Sequence, residues 1–131
     1  MKVNVTLVVG VLLVAAVFSA GQTRQPKEIR SNDFETRCGW FSNPTPANAW
    51  LWDREGEWII GVQGGFQSDG EWPNFKPRQW VRQNGYYGYG CACLSVRVDK
   101  QTHQIVRIKS SRARSLTQCR RDPALKKWGR L

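Results

Sequence analysis

Four cysteines in a chain of 131 residues constrain the fold more than any other feature, and the N-terminus indicates how they are used. Met1–Lys2 is a short positive start, Val3–Phe18 is an apolar run, and Ser19–Gly21 supplies small residues for cleavage. This is the pattern of a secretory signal peptide, cleaved near Gly21. An uncleaved anchor is the alternative, although a spanning helix needs roughly 20 apolar residues and this run is shorter. We therefore expect a secreted or periplasmic protein.

The four cysteines are Cys38, Cys91, Cys93 and Cys119. An even set in a short exported chain predicts disulfides, here two. Cys91 and Cys93 stand at positions i and i+2, too far apart on a strand to bond to each other. Cys38 then pairs with one of them and Cys119 with the other, and both pairings stay open. A four-thiolate metal site is the alternative, but the C-x-C spacing is unlike the usual C-x₂-C of such sites. We expect no metal and no cofactor.

The positive charge is concentrated in the C-terminal third of the chain. Residues 22–90 contain 8 Lys and Arg and 8 Asp and Glu, whereas residues 91–131 contain 11 Lys and Arg and only 2 Asp. Such asymmetry favours an anionic partner, which outside the cytosol means an anionic polymer, a lipid headgroup or an acidic protein. No feature specifically indicates a nucleic acid. The alternative is a solvated basic face that aids solubility.

Apolar residues alternate with polar ones in two hairpin patterns, which predicts strands. In the first, Trp50 and Trp52 precede the turn 53–57, and Trp58 and Ile60 follow it. Pairing Trp52 with Trp58 and Trp50 with Ile60 would place all four on one face.

The second pattern begins with the strand Cys91–Val98 and returns after the turn 99–103. Leu94, Val96 and Val98 lie on one side of the strand, and the cysteines and Arg97 lie on the other. Matching apolar faces predicts Val96 opposite Val106 and Leu94 opposite Ile108. Gly88 and Gly90, just before this strand, indicate close approach of another backbone or ring.

Strands dominate the chain and long helical periodicity is absent. The predicted fold is mainly β, a small antiparallel barrel or curved sheet with two disulfides and one short helix. We assign residues 1–21 to the signal peptide, 22–36 to a flexible lead-in, 37–125 to the disulfide-tied β domain and 126–131 to a basic tail.

Two groups of side chains are candidates for binding. The basic group is Arg97, Arg107, Lys109, Arg112 and Arg114, which form one patch if their segments are neighbours. The aromatic group is Trp72, Trp80, Tyr86 and Tyr87, since rings near arginines can hold ligands by stacking and cation–π contact. The alternative is that these rings pack the interior.

The sequence offers little for catalysis, and we expect a binding protein rather than an enzyme. His103 is the only histidine and falls in a predicted hairpin turn. Asp53, Glu55 and Glu57 are the basis of a hydrolase alternative, although turn carboxylates usually stay solvated. A further alternative is a secreted enzyme inhibitor or immunity-type protein that inserts the rigid loop Gly64–Trp80 into its target.

Several motifs resemble those of a family of small exported bacterial proteins of unknown function. They are Cys38-Gly39-Trp40 followed by Asn43-Pro44-Thr45-Pro46-Ala47-Asn48, then Trp58 to Gly65, Asn84 to Leu94 with Gly-Tyr-Gly-Cys-Ala-Cys-Leu, and Cys119-Arg120 with Asp122-Pro123-Ala124-Leu125. The resemblance covers residues 37–125 and implies a bacterial source and export. It implies no activity, ligand or catalytic residue.

Overall fold

The computed structural model describes residues 33–128, so the predicted signal peptide, most of the lead-in and the last three residues lie outside it. The strands are β1 (Glu35–Thr45), β2 (Asn48–Trp52), β3 (Glu57–Gly61), β4 (Trp80–Asn84), β5 (Tyr87–Asp99) and β6 (Gln104–Arg114). A 3₁₀ turn covers Pro77–Gln79, and helix α1 (Leu116–Arg121) is followed by a 3₁₀ helix, Pro123–Trp128. The expected fold class, mainly β with two disulfides and a short helix, is confirmed.

The sheet curves into a ring. β1 pairs with β2, β2 with β3, β6 with β5, and β5 with β1, all antiparallel. A short parallel contact between β3 and β6, through Ile59 and Gln104, completes the ring. β4 pairs with the start of β5, from Tyr87 to Gly90. It lies along the same edge of β5 that pairs with β6 from Cys91 onward. The sheet is therefore mixed rather than purely antiparallel, and β5 is its central strand.

The core lies inside the ring. Its largest fully buried side chains are Leu51, Ile60, Leu94, Val96 and Ile105. Gly88 and Gly90 lie under close neighbours, since a Cβ on Gly88 would meet the Val81 carbonyl and one on Gly90 the Phe75 ring. The predicted close approach at these glycines is confirmed.

The register of both predicted hairpins differs from expectation. In the first, Leu51 rather than Trp52 opposes Trp58, and Trp50 opposes Ile59. Ala49 and Leu51 therefore face the core, and the rings of Trp50 and Trp52 are only half-buried. The predicted face is therefore wrong, because Ala49 and Leu51, rather than the larger Trp50 and Trp52, lie in the core with Trp58.

In the second hairpin, Leu94, Val96 and Val98 share one face as predicted, but their partners do not match. Val96 lies opposite Ile108, Leu94 opposite Ser111 and Val98 opposite Ile105. Two register shifts, between Ser95 and Val96 and between Arg97 and Val98, move the pairing. Such bulges increase the bend of a strand, which a small closed ring requires.

A second apolar cluster covers the outer side of β1 and β5. It contains Trp40, Tyr89 and the Cys91–Cys119 bridge, with Leu125 from the C-terminal 3₁₀ helix. Trp128 stacks on Trp52 with ring centroids 6.1 Å apart and donates from Nε1 to the Asp53 carbonyl. The C-terminal segment thus closes one part of the outer surface and leaves the rest of β5 and β6 open.

Candidate anion-binding face

The outer side of β5 and β6 brings basic side chains into one row. Strand pairing sets Cys91 opposite Arg114, Cys93 opposite Arg112, Ser95 opposite Ser110, and Arg97 opposite Arg107. Paired residues on an antiparallel ladder point to the same face. The alternating buried residues Ala92, Leu94 and Val96 point the other way, into the core. We call this outer surface, with Lys109, the basic face.

An open groove of about 290 Å³ lies on the basic face. Its lining comes from three adjacent strands and includes Thr36, Cys93, Ser95, Ser110, Ser111, Arg112 and Arg114. Three hydroxyl groups, of Thr36, Ser95 and Ser110, and two guanidinium groups therefore converge on one small space, whereas Ser111 is the register partner of the inward-pointing Leu94. Hydroxyl and guanidinium donors are the groups that proteins use to bind phosphate and carboxylate oxygens. Arg114 is oriented by a 2.8 Å bond from its Nε to Oε1 of Gln118, which leaves its terminal nitrogens available.

Phe34 holds two cations together at the other end of the basic face. Its ring centroid lies 4.9 Å from the Arg97 guanidinium carbon and 5.5 Å from the Lys109 Nζ. Cation–π attraction of this kind offsets the repulsion between two neighbouring positive charges. Nε of Arg97 is buried without a hydrogen-bond partner among residues 33–128. Residue 34 falls in the predicted lead-in, and sequence reasoning gave no indication of this role.

The carboxylates that form ion pairs among residues 33–128 do so with Arg37, which is not part of the basic face. Every ion pair among residues 33–128 involves Arg37, whose partners are Glu35, Asp53 and Glu55. None involves a cation of the basic face. The basic face therefore keeps its positive potential, and it holds five of the eleven Lys and Arg residues of positions 91–131.

Arg37 is 5% exposed and occupies the inner side of β1. Its Nη1 donates to Asp53 Oδ2 at 2.6 Å, and its guanidinium lies 3.8 Å from the centroid of the Trp58 ring. Burial by itself would lower the pKa of Arg37, but hydrogen bonds to Asp53, Glu55 and Glu35 outweigh it and raise that pKa above its ordinary value. Arg37 is a permanently charged structural group.

Asp53 is the centre of the turn between β2 and β3 rather than a solvated carboxylate. It is 2% exposed. Its Oδ1 accepts from the backbone N–H of Glu55 at 2.8 Å, from that of Gly56 at 3.0 Å and from Trp58 Nε1 at 3.2 Å. Glu57 accepts from Trp52 Nε1 at 2.8 Å. These contacts organise a turn, and they give the hydrolase alternative no support from Asp53, Glu55 and Glu57.

The four cysteines form two disulfides, Cys38–Cys93 and Cys91–Cys119, as expected, and the structure selects one of the two open pairings. A second cavity, of about 90 Å³, is lined by all four cysteines together with Arg114 and Gln118. No cysteine is free, so the four-thiolate metal site is wrong. Residues 33–128 contain no cluster of three or more His, Cys, Asp or Glu side chains placed to hold a metal ion.

The predicted aromatic residues do not join the basic face. Trp72 and Trp80 pack against the core beside Phe41, with ring centroids 5.8 and 6.4 Å from it. Tyr86 is 83% exposed, but it lies in the turn before β5 with Arg82 near its ring. Tyr87, half-buried, begins β5 at the end distant from Arg97. Packing against the core therefore describes Trp72 and Trp80 better than a role in a ligand-binding surface.

His103 has a structural position in the turn between β5 and β6. It adopts φ 53°, its carbonyl accepts from the N–H of Ile59 at 2.7 Å, and its ring lies 5.2 Å from that of Trp58. Asp99 begins the same turn and accepts from the N–H groups of Gln101 and Thr102. These bonds lower the pKa of Asp99. Cys91 and Cys93 are in disulfides, so neither is a free thiol that could act as a nucleophile with His103.

The chain belongs to a family described as a protein of unknown function, DUF4087, whose model matches residues 32–126. The match includes every described strand and both disulfides. No significant match was found among curated proteins or among solved structures. Between residues 33 and 128 no helix has the length and hydrophobicity of a membrane span. Two disulfides in so short a chain indicate an oxidising, extracytoplasmic environment.

Proposed function

We propose that this protein is a non-enzymatic binding domain that captures phosphate-bearing polymers of the bacterial envelope through its basic face. The observation that carries the proposal is the groove, where Arg112 and Arg114 converge with three hydroxyl groups. A guanidinium can bind two phosphate oxygens at once, and hydroxyl donors can bind the remaining ones. A volume of about 290 Å³ suits one anionic group with its immediate attachment.

A polymer is a better partner than a single small anion because the cations continue beyond the groove. Arg97, Arg107 and Lys109 lie further along the same strands. Strands rise about 3.3 Å per residue. The row of cations from Arg97 to Arg114 is therefore long enough to contact more than one phosphate group of a polymer. A ligand with repeated charges would contact both ends of the basic face.

The cellular location that we propose also supports a phosphate-bearing envelope polymer as the partner. The apolar N-terminal run and the small residues before Gly21 favour export with cleavage near that residue, into the periplasm or the medium of a bacterium. Envelope polymers and lipid headgroups are the abundant anions there. An acidic protein is the competing partner, and the inhibitor alternative would use Gly64–Trp80. That loop is less favoured, since Trp72 and Phe75 pack against the core.

The test compares two variants with equal change in charge. R107Q/K109Q/R112Q/R114Q removes four cations from the basic face. The control R54Q/K76Q/R78Q/R82Q removes four exposed cations outside it. The probe is immobilised long-chain polyphosphate, with polyglutamate and phosphatidylglycerol vesicles as the acidic-polypeptide and lipid probes.

We expect the basic-face variant to bind polyphosphate at least about tenfold more weakly at low salt, because each exposed charge contributes a few tenths of a kcal/mol. The control should bind nearly as the native protein does, and raising the salt should weaken native binding. Equal retention of both variants would refute the proposal. Preferential binding to polyglutamate would indicate an acidic protein partner, and preferential binding to vesicles a lipid surface.

A further inference from the structure

The two disulfides differ in accessibility although their β5 cysteines are only two residues apart. Cys91 and Cys119 are 3% and 4% exposed and pack with Trp40 and Leu125. Cys38 is exposed and Cys93 half-buried, and both border the cavity that adjoins the groove. Exposed disulfides are the ones that exchange readily with thiols, whereas buried ones resist reduction.

The Cys38–Cys93 bridge lies directly across two strands. Its cysteines are register partners on β1 and β5, with Cα atoms 4.0 Å apart. On the other side of β5, Arg112 is the register partner of Cys93. A guanidinium beside a cysteine stabilises its thiolate, and a stabilised thiolate is a better leaving group in exchange.

We propose that Cys38–Cys93 is a thiol–disulfide exchange site that accepts a small acidic thiol. The incoming thiolate attacks Sγ of Cys38, the more exposed of the two cysteines. A new S–S bond forms between that thiol and Cys38, the Cys38–Cys93 bond breaks, and Cys93 leaves with the electron pair as a thiolate beside Arg112. The thiolate of a second molecule then attacks the small thiol's sulfur in the mixed disulfide, the bond from that sulfur to Cys38 breaks, Cys38 leaves as a thiolate, and the symmetrical disulfide of the small thiol is released. The two small thiols are then oxidised, and Cys38 and Cys93 are reduced.

The preference for an acidic thiol rests on the proposed function, because it uses the same groove. Arg112, Arg114 and the hydroxyl groups would bind the carboxylates of the thiol and hold its sulfur at the bridge. The position of the exchange site does not rest on that function. It follows from exposure and register alone.

The fold is built to survive the exchange. β1 and β5 remain paired from Glu35 opposite Val96 to Asn43 opposite Gly88, on both sides of the bridge. Cys91–Cys119 continues to attach helix α1 to β5. Opening Cys38–Cys93 therefore leaves the ring closed by its backbone ladder, and the bridge can re-form.

The experiment follows the oxidised protein with three thiols at equal thiolate concentration. Glutathione is acidic, 2-mercaptoethanol is neutral and cysteamine is cationic. Reaction is stopped by alkylation, and peptide mass mapping locates the adduct and the freed thiol. We expect the mixed disulfide on Cys38, a free thiol on Cys93 and an intact Cys91–Cys119 bridge. An adduct on Cys93 would contradict the assigned direction, and simultaneous or earlier opening of Cys91–Cys119 would overturn the exchange site.

Variants separate the two parts of the proposal. With 2-mercaptoethanol, R112Q should slow the reaction on the order of threefold, because the leaving thiolate loses its neighbouring charge. The ratio of glutathione to cysteamine rates should be several-fold in the native protein and close to one in R112Q/R114Q, whereas the control R78Q/R82Q should keep the native ratio. Equal native rates with an adduct on Cys38 would refute the acidic preference and count against anion binding, while leaving the exchange site in place. An unchanged R112Q rate would refute the role of Arg112.

Discussion

Arg37 and Arg112 lie on strands of the same small ring and have opposite surroundings. Arg37 points inward, is 5% exposed, and contacts three carboxylates and the face of Trp58. Arg112 points outward beside a disulfide and is exposed. The direction of one side chain on a ladder therefore decides whether an arginine stabilises the fold or remains available to a ligand.

The difference also explains why the basic face is basic. Three carboxylates, those of Glu35, Asp53 and Glu55, are gathered around the inner arginine. Among the described residues they are the only ones in ion pairs. The net charge of the sequence does not reveal this arrangement. It shows that residues 22–90 are neutral overall, but not that their carboxylates gather around Arg37 and leave the outer side of β5 and β6 positive.

Replacing Arg37 should have the largest effect of any single substitution. We expect R37M to lower the free energy of unfolding by about 3–5 kcal/mol, because it leaves the Asp53 carboxylate buried beside an apolar side chain. The matched control R112M, on the basic face, should change it by no more than about 0.5 kcal/mol. Urea unfolding followed by tryptophan fluorescence measures both. Similar losses for the two variants would remove the distinction between the arginines.

Part of this arrangement could be predicted from the sequence. The alternation of Leu94, Val96 and Val98 identified the inner side of β5, and it placed Arg97 with the cysteines on the outer side. Glycine spacing at Gly88 and Gly90 identified a crowded stretch. These inferences succeeded because they depend on the two-residue period of a single strand, which local sequence controls.

The pairing between strands could not be predicted in the same way. Register depends on bulges in β5 and β6 and on which side chain fits inside a narrow ring, and neither has a local signal. The Arg37–Asp53 pair was missed for a similar reason. Asp53 belongs to a turn, where carboxylates are usually solvated, and its partner lies 16 residues earlier on a strand that passes over it. The sequence therefore indicated which strands carry the outer basic side chains, while the buried Arg37–Asp53 network was not found.

The two disulfides provide the next comparison. Loss of either should lower stability by about 2–4 kcal/mol, and loop entropy alone makes the loss of Cys38–Cys93 slightly larger, because its cysteines are 55 residues apart rather than 28. Burial acts in the opposite direction, since removing Cys91–Cys119 also loosens the contacts of Leu125 and Trp128. We expect the second effect to be larger, so that C91A/C119A is the less stable variant.

Hydrogen exchange distinguishes the two disulfide variants. C91A/C119A should lose amide protection in residues 116–128, because the bridge is the covalent attachment of that segment to β5. C38A/C93A should keep protection there and along β1, where nine residue pairs surround or include the bridge. If C38A/C93A instead unfolded the β1–β5 ladder, the exposed bridge would be structural and its reversible opening would be contradicted.

The smallest expected effect concerns the ring that holds two outer cations together. F34A removes the aromatic face beneath Arg97 and Lys109, and we expect a loss of about 1 kcal/mol, since exposed cation–π contacts are each worth about 0.5–1 kcal/mol. F34L keeps most of the apolar volume without the aromatic face, so it should recover only the share of the lost stability that comes from packing. Because like charges repel less in high salt, the deficit of F34A should shrink as salt is added. If F34L matched the native protein at low salt, Phe34 would be acting by packing alone, and the outer cations would not depend on its aromatic face.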